Sequence, residues 1–262
     1  MFQYQGKTAL VTGASAGIGA EFTRELAARG MNVILVARNE AAMNELADEV
    51  RGQHGVQTLV ISVDLSQETA AAEVAEKVAA IDWEVDLLVN NAGFLTYGPF
   101  ETNDPAEERK EILVNVAALV AMTHEFLPGM LARKNGGVIN VASIAAFQAI
   151  PYMAIYAATK AFVVSFSIGL YQECRKRNVH ILGLCPGTTS TEIFARGGAN
   201  ILQFDPAPRK VDQVVATALK AFERKRCLAV DGWKNRLMSY GAKLAPRELS
   251  AWFAGKMARP KT

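Results

Sequence analysis

Residues 8–19 read TALVTGASAGIG, a five-residue apolar run that breaks into a glycine-rich turn. The run from Thr8 to Thr12 is nearly continuous in apolar side chains, as expected of a strand covered on both faces. Gly13, Gly17 and Gly19 follow at GxxxGxG spacing around Ser15 and Ile18, ahead of a helical pattern from Ala20 to Arg29. Strand, glycine turn and helix together let backbone N–H groups and the positive end of a helix approach a pyrophosphate. An ordinary tight turn uses the same glycines. The motif takes its weight from standing between a strand and a helix.

Six more apolar runs follow: Asn32 to Val36, Thr58 to Val63, Asp86 to Asn90, Gly137 to Ala142, His180 to Cys185 and Cys227 to Val230. Segments with helical spacing, such as Glu40 to Arg51, separate them. This alternation predicts right-handed crossovers and a Rossmann-type α/β fold: a doubly wound parallel sheet of about seven strands with helices on both faces. Ligands of such sheets bind at the carboxyl ends of the strands. With no repeat, linker or low-complexity stretch, residues 1–262 read as a single domain.

Half of the residues are hydrophobic and 21% are charged, which excludes a disordered chain. Lys and Arg number 28 against 26 Asp and Glu, and this balance argues against nucleic acid as the main partner. Cys174, Cys185 and Cys227 are odd in number and lack CxxC spacing. They argue against a disulfide framework or a zinc site, and for free thiols in a reducing, cytoplasmic setting. His54, His124 and His180 show no paired ligand spacing, and no metal is expected. No apolar run reaches ~18 residues, so no membrane span is expected. The N-terminus runs straight into the first strand, so neither is a signal peptide.

The second strand should end near an adenosine ribose. An acid there suits the 2′-OH of NAD, and a basic group suits the 2′-phosphate of NADP. The sequence is Val36-Ala37-Arg38-Asn39-Glu40, with Arg38 where the acid would stand. A guanidinium forks well onto phosphate, although a surface arginine needs no ligand.

Further along, Asn90-Asn91-Ala92-Gly93 follows the fourth strand and Asn115 lies in the next helix. Ser143 ends the fifth strand, Tyr156 comes 13 residues later, and Lys160 four after that. Pro186-Gly187 follows the sixth strand, with Thr191 beyond. With the glycine loop, this ordered set resembles the classical short-chain dehydrogenase/reductase family over about residues 6 to 230. The basic end from Gly232 onward also resembles a bacterial subgroup with a helical C-terminus.

The resemblance implies an NADP(H)-dependent oxidoreductase acting on a carbonyl/alcohol pair, assembled as a homodimer or homotetramer. Tyr156 would exchange a proton with the substrate oxygen, Lys160 would hold the nicotinamide ribose, and Ser143 would hydrogen-bond the same oxygen. Asn115 would hold a water linking the lysine to solvent. Asn91, Ala92, Gly93, Pro186, Gly187 and Thr191 would line the cofactor. Asp64 would meet the adenine, or else cap a helix starting near Gln67. Tyr156 and Lys160, at i and i+4, share a helix face, where an ammonium should lower the phenol from its usual value near ~10. A non-catalytic NADP(H)-binding redox sensor is the alternative, though it would not need Ser143, Tyr156 and Lys160.

Substrate contacts are expected from Phe94, Leu95, Tyr97 and Phe100, from Phe147, Ile150, Pro151 and Met153, and from the loop at 188–210 with Ile193, Phe194, Ile201, Leu202 and Phe204. Their apolar character suggests a hydrophobic substrate, or packing on one another. The extension at 231–262 belongs to a strongly basic end. Residues 224–262 carry ten basic and two acidic side chains, leaving the first 223 residues at −6. It predicts two short amphipathic helices, with Trp233, Leu237, Tyr240 and Leu244 on one stripe and Leu249, Trp252, Phe253 and Met257 on the next, opened by Pro246. Packing of these stripes on the core or a subunit is the favoured expectation, ahead of a membrane surface or an acidic partner.

Overall fold

The computed structural model describes residues 2–205, 207–244 and 246–260, without the side chains of Gln203, Lys243 and Leu244. Seven strands form one parallel sheet: β1 (Thr8–Thr12), β2 (Asn32–Ala37), β3 (Thr58–Ser62), β4 (Leu87–Asn90), β5 (Gly136–Val141), β6 (Val179–Cys185) and β7 (Leu228–Val230). Their order is β3-β2-β1-β4-β5-β6-β7, so the winding reverses between β1 and β4. The expected fold class is therefore the one observed. Strand ends differ from the apolar runs by a residue or so. Asp86, for example, lies just before β4, where its buried carboxylate accepts from Lys7 Nζ at 3.1 Å and Thr8 N at 3.0 Å.

Helices cover both faces. The first are α1 (Gly17–Ala28), α2 (Glu40–His54) and α3 (Ala70–Ala79). Asn39 Oδ1 starts α2 by accepting from Ala42 N, and Gly55, at φ +66°, ends it. Next come α4 (Pro105–Ile112) and α5 (Leu119–Arg133), fused by a π-helical segment over Leu113–Ala118. Then follow α6 (Ala154–Cys174), two single-turn helices α7 (Ile193–Arg196) and α8 (Ile201–Phe204), α9 (Val211–Glu223), α10 (Trp233–Leu244) and α11 (Arg247–Ala258).

On one face, Phe22 and Leu26 of α1 and Met43 of α2 join the core with Val11 of β1 and Val33 and Leu35 of β2, while Phe222 of α9 packs on Gly137 of β5. On the other, Val74 of α3, Met122 and Met130 of α5 and Cys174 of α6 pack on Leu10, Ile34 and Leu88. Each such side chain stabilises the fold by about 1.5–3 kcal/mol through burial. The segments Pro105–Arg133 and Ala154–Cys174 are long and apolar enough to cross a bilayer, unlike the expectation from uninterrupted runs. In the fold each lies along the sheet.

The two C-terminal helices occur where the sequence places them, but they face the other way. α10 turns Asn235 and Ser239 toward the body, while Trp233, Leu237 and Tyr240 point to solvent. α11 buries Ser250, Ala254 and Ala258, and leaves Leu249, Trp252, Phe253 and Met257 exposed. The expected packing of these stripes on the protein's own core is thus corrected. Small residues make the closer contact with the body, as with Gly255 against Pro151. The Leu244 side chain lies outside the described residues.

Candidate active site

The carboxyl ends of β1 and β4 are clasped by Thr12. Its hydroxyl accepts from the backbone N–H of Asn91 at 2.9 Å and of Ala92 at 3.0 Å. In return, Asn91 Nδ2 donates to Thr12 O at 2.9 Å and Gly13 O at 3.3 Å. The glycine loop can lie this close only without side chains. Gly13 has φ +65°, and a Cβ there would come within 2.9 Å of Asn91 Nδ2. A Cβ at Gly19 would strike Gly13 O. Ala16 offers no side-chain cap to α1, which leaves the first N–H groups of that helix for an anion.

Thr191 lies over this loop, its methyl 3.1 Å from where a Cβ of Gly17 would be. Gly13 N donates to Val36 O at 2.8 Å, so the loop leans on β2 two residues before Arg38, which is exposed. Ser15, Gly17 and Ile18 line the turn itself. This cradle fits a pyrophosphate, with a guanidinium nearby for a further phosphate. The Asp64 carboxylate accepts from Ser66 N at 3.0 Å, a bond that holds it below the usual carboxylate range. It shapes a turn, and the helix starts at Ala70 instead of near Gln67.

The reacting groups converge beyond β5. Ser143 follows that strand, and its Oγ accepts from Ala145 N at 3.1 Å within hydrogen-bonding reach of the Tyr156 phenol. Tyr156 and Lys160 share the inner face of α6, with the ammonium 5.7 Å from the ring centre. Lys160 Nζ donates to Val141 O at 2.9 Å. Both side chains are deeply buried. Burial pushes the phenol up to about 12, against a smaller lowering by Ser143. Burial also draws the lysine down to about 8. The expected lowering of the phenol by the ammonium is therefore corrected: burial and then the Glu111 charge raise it, and the lowering comes from Ser143. At neutral pH the phenol keeps its proton and the lysine its charge.

Asn115 sits in the π-helical segment, a helix form that often marks functional sites. Its Nδ2 donates to Phe94 O at 2.9 Å and Thr159 Oγ1 at 3.2 Å, while Oδ1 accepts from Phe94 N at 3.1 Å. Both amide donors are taken. The side chain splices the loop after β4 to α6. A Cβ at Gly93 would meet Asn115 Oδ1 at 2.9 Å and Lys160 Nζ at 3.3 Å, so all three are neighbours. Pro186 O accepts from Ile144 N at 2.9 Å, and Gly187 lies against Asn235 of α10.

One charged neighbour was not singled out from the sequence. Glu111, one helical step before Asn115, is 0% exposed. Its Oε2 accepts from Thr96 N at 2.8 Å and Thr96 Oγ1 at 2.7 Å, and Oε1 has no partner among the described residues. Burial raises its carboxyl, and its charge in turn raises both Tyr156 and Lys160. Within Glu107-Glu108-Arg109-Lys110-Glu111 it reads as part of a solvated helix face, and only its spacing to Asn115 hints otherwise.

Beside the phenol, Leu95, Ala145 and Met153 form an apolar cluster with Tyr97, Ile150, Ile193, Phe194 and Phe204. Phe147 departs from expectation and packs with Val163 and Val230 behind α6. Phe100 and Leu202 point to solvent. The loop at 188–210 is tied at its base, where Arg209 forks onto the buried Asp231 carboxylate at 2.9 and 3.0 Å. Gly197 seats its tip on Leu95.

Residues 7–202 match the family described as short chain dehydrogenase. A very-long-chain 3-oxoacyl-CoA reductase of Laccaria bicolor is 40% identical over 181 residues, 68% of this chain and 53% of that protein. The chain thus spans about half the length of that relative. A short-chain dehydrogenase from Sphingobium yanoikuyae, solved in complex with NADPH, superposes with a TM-score of 0.82 at 30% identity, covering 90% of this chain and 92% of that one. A bulky-bulky ketone specific alcohol dehydrogenase from Comamonas testosteroni superposes with a TM-score of 0.77 at 28% identity, over 98% and 95% of the two chains.

Proposed function

We infer that this chain, which belongs to the short chain dehydrogenase family, reduces a hydrophobic carbonyl compound with NADPH. The observation that carries the reading is the convergence of Ser143, Tyr156 and Lys160 beside an apolar cluster, at the same sheet end as the glycine cradle. When bound, the dinucleotide supplies the hydride. Gly13, Gly17 and the free end of α1 hold its pyrophosphate, and Arg38 favours the 2′-phosphate. Lys160 stands to hold the ribose next to Tyr156. The Ser143 hydroxyl positions the carbonyl oxygen and steadies charge developing on it.

Tyr156 then gives that oxygen its proton. A phenol held up to about 12 is protonated at neutral pH, which suits reduction, whereas the reverse reaction needs phenolate. The apolar side chains around Leu95, Phe194 and Phe204 suit contact with an apolar substrate, and the similarity to a bulky-ketone enzyme supports that choice. The stacked, partly exposed Phe162 and Phe166 on the outer face of α6 support a reading in which a second copy packs there.

A panel of ketones with NADPH consumption as readout tests the reading. Tyr156→Phe should lower turnover at least ~10²-fold while NADPH still binds. Near-parental turnover would overturn it. Arg38→Ala should remove most of the preference for NADPH over NADH, about 1–3 kcal/mol for a charge-assisted pair. Equal affinity of the parent for both cofactors would remove Arg38 from the reading.

A further inference from the structure

We propose that α10 and α11 form a docking surface for an anionic lipid bilayer. Both helices are built inside out for a protein that covers its own core. Asn235 and Ser239, then Ser250 and Ala254, face the body, while the bulky apolar side chains face away. Trp233, Leu237 and Tyr240 recur along one side of α10, with Trp233 72% exposed. Leu249, Trp252 and Phe253 continue the exposed apolar surface on α11. Large exposed apolar side chains repeated along two neighbouring helices mark an interaction site.

Charge decides among occupants. Basic side chains stand beside the aromatic ones: Lys256 lies 3.8 Å above the Trp252 ring and Lys234 lies 5.9 Å from that of Trp233. Arg236 and Arg247 are exposed on the same two helices, and Glu248 is the one acid there. Aromatic and aliphatic side chains interleaved with lysine and arginine are what a lipid interface retains: rings settle at the headgroup level and cations meet anionic lipid. A second copy docking through the same face would oppose two like-charged surfaces. The bilayer would lie next to the apolar cluster beside the phenol, since Tyr97, one of its members, donates its hydroxyl to Ala258 O of α11 at 2.9 Å.

Flotation of the full chain with vesicles of phosphatidylcholine, with and without phosphatidylglycerol, tests the proposal. Partition onto the anionic vesicles should exceed that onto the neutral ones at least ~10-fold and collapse in high salt. Replacing Lys234, Arg236, Arg247 and Lys256 together by Gln should lower it by roughly 10²-fold. Trp252→Ser with Phe253→Ser should lower it by about 10-fold, with an unchanged circular dichroism melt because both side chains are exposed. A chain that stays unbound, or that binds both vesicle types equally in all salt, would overturn the proposal without needing any variant. Light scattering on the Ser double variant gives a further outcome. Loss of an oligomer, with vesicle binding retained, would assign the face to a second copy instead.

Discussion

α9 and α10 are almost equal in length, thirteen and twelve residues, and each carries a clear apolar stripe. α9 drives Val214, Val215, Ala218, Leu219 and Phe222 into the sheet. α10 holds its stripe in solvent and sends in Asn235. Two glycines show why. Gly137 of β5 leaves room for the Phe222 ring, which packs there beside His180 of β6. Gly187 leaves room for the Asn235 amide, beside backbone whose polar groups need partners, and Asn235 Nδ2 donates to Asp231 O at 2.8 Å. Periodicity locates a helix face, and the chemistry of the receiving surface sets which face goes in.

The sharpest way to break this contrast is to truncate the inward anchor. Phe222→Ala should cost about 3–5 kcal/mol of stability in urea denaturation, as for other buried aromatic truncations. A loss below ~1 kcal/mol would show α9 held no better than α10. A smaller effect comes from His180, whose ring lies 5.0 Å from that of Phe222. Burial draws its imidazole down to about 4 from the ordinary 6.5, so it stays neutral in the fold while the unfolded chain takes up a proton first. Its contribution to stability is complete above pH 6.5 and is lost as pH falls toward 4. His180→Gln should flatten the melting-temperature profile across that window, and an unchanged slope would refute the assignment. The smallest effect belongs to α10: Leu237→Ser should change stability by no more than ~0.5 kcal/mol. A loss above ~2 kcal/mol would mean that this stripe is packed after all.

The same contrast marks how far the sequence could be read. All seven strands were visible because a strand covered on both faces leaves an unbroken apolar run, and the glycine turn, Ser143, Tyr156 and Lys160 were visible because together they match the order and spacing of the family they resemble. Glu111 was hidden inside a charged run, since nothing local separates a buried carboxylate from four charged neighbours. Thr12 was hidden because a clasp between β1 and β4 joins positions 79 residues apart. Phe147 and Leu95 looked alike as apolar loop residues, and only the path of the backbone sends one behind α6 and the other to the phenol. The tail's stripes were located, but their direction depends on Gly187 and Pro151, surfaces contributed from far away in the chain.

The π-helical segment over Leu113–Ala118 also settles a matter of phase. Glu111, Asn115, Leu119, Thr123 and Leu127 are all buried and step along the chain by four. At about 100° per residue in a plain α-helix, each such step overshoots a full turn by about 40°, and four steps would carry the row about 160° around the axis. One wider turn takes up a surplus residue and returns the row toward its starting side. The helix therefore works as a vernier between two rulers. Its first half is indexed to the loop at Phe94 and Thr96, its second half to the apolar packing beneath the sheet, and the offset between them is absorbed at Asn115.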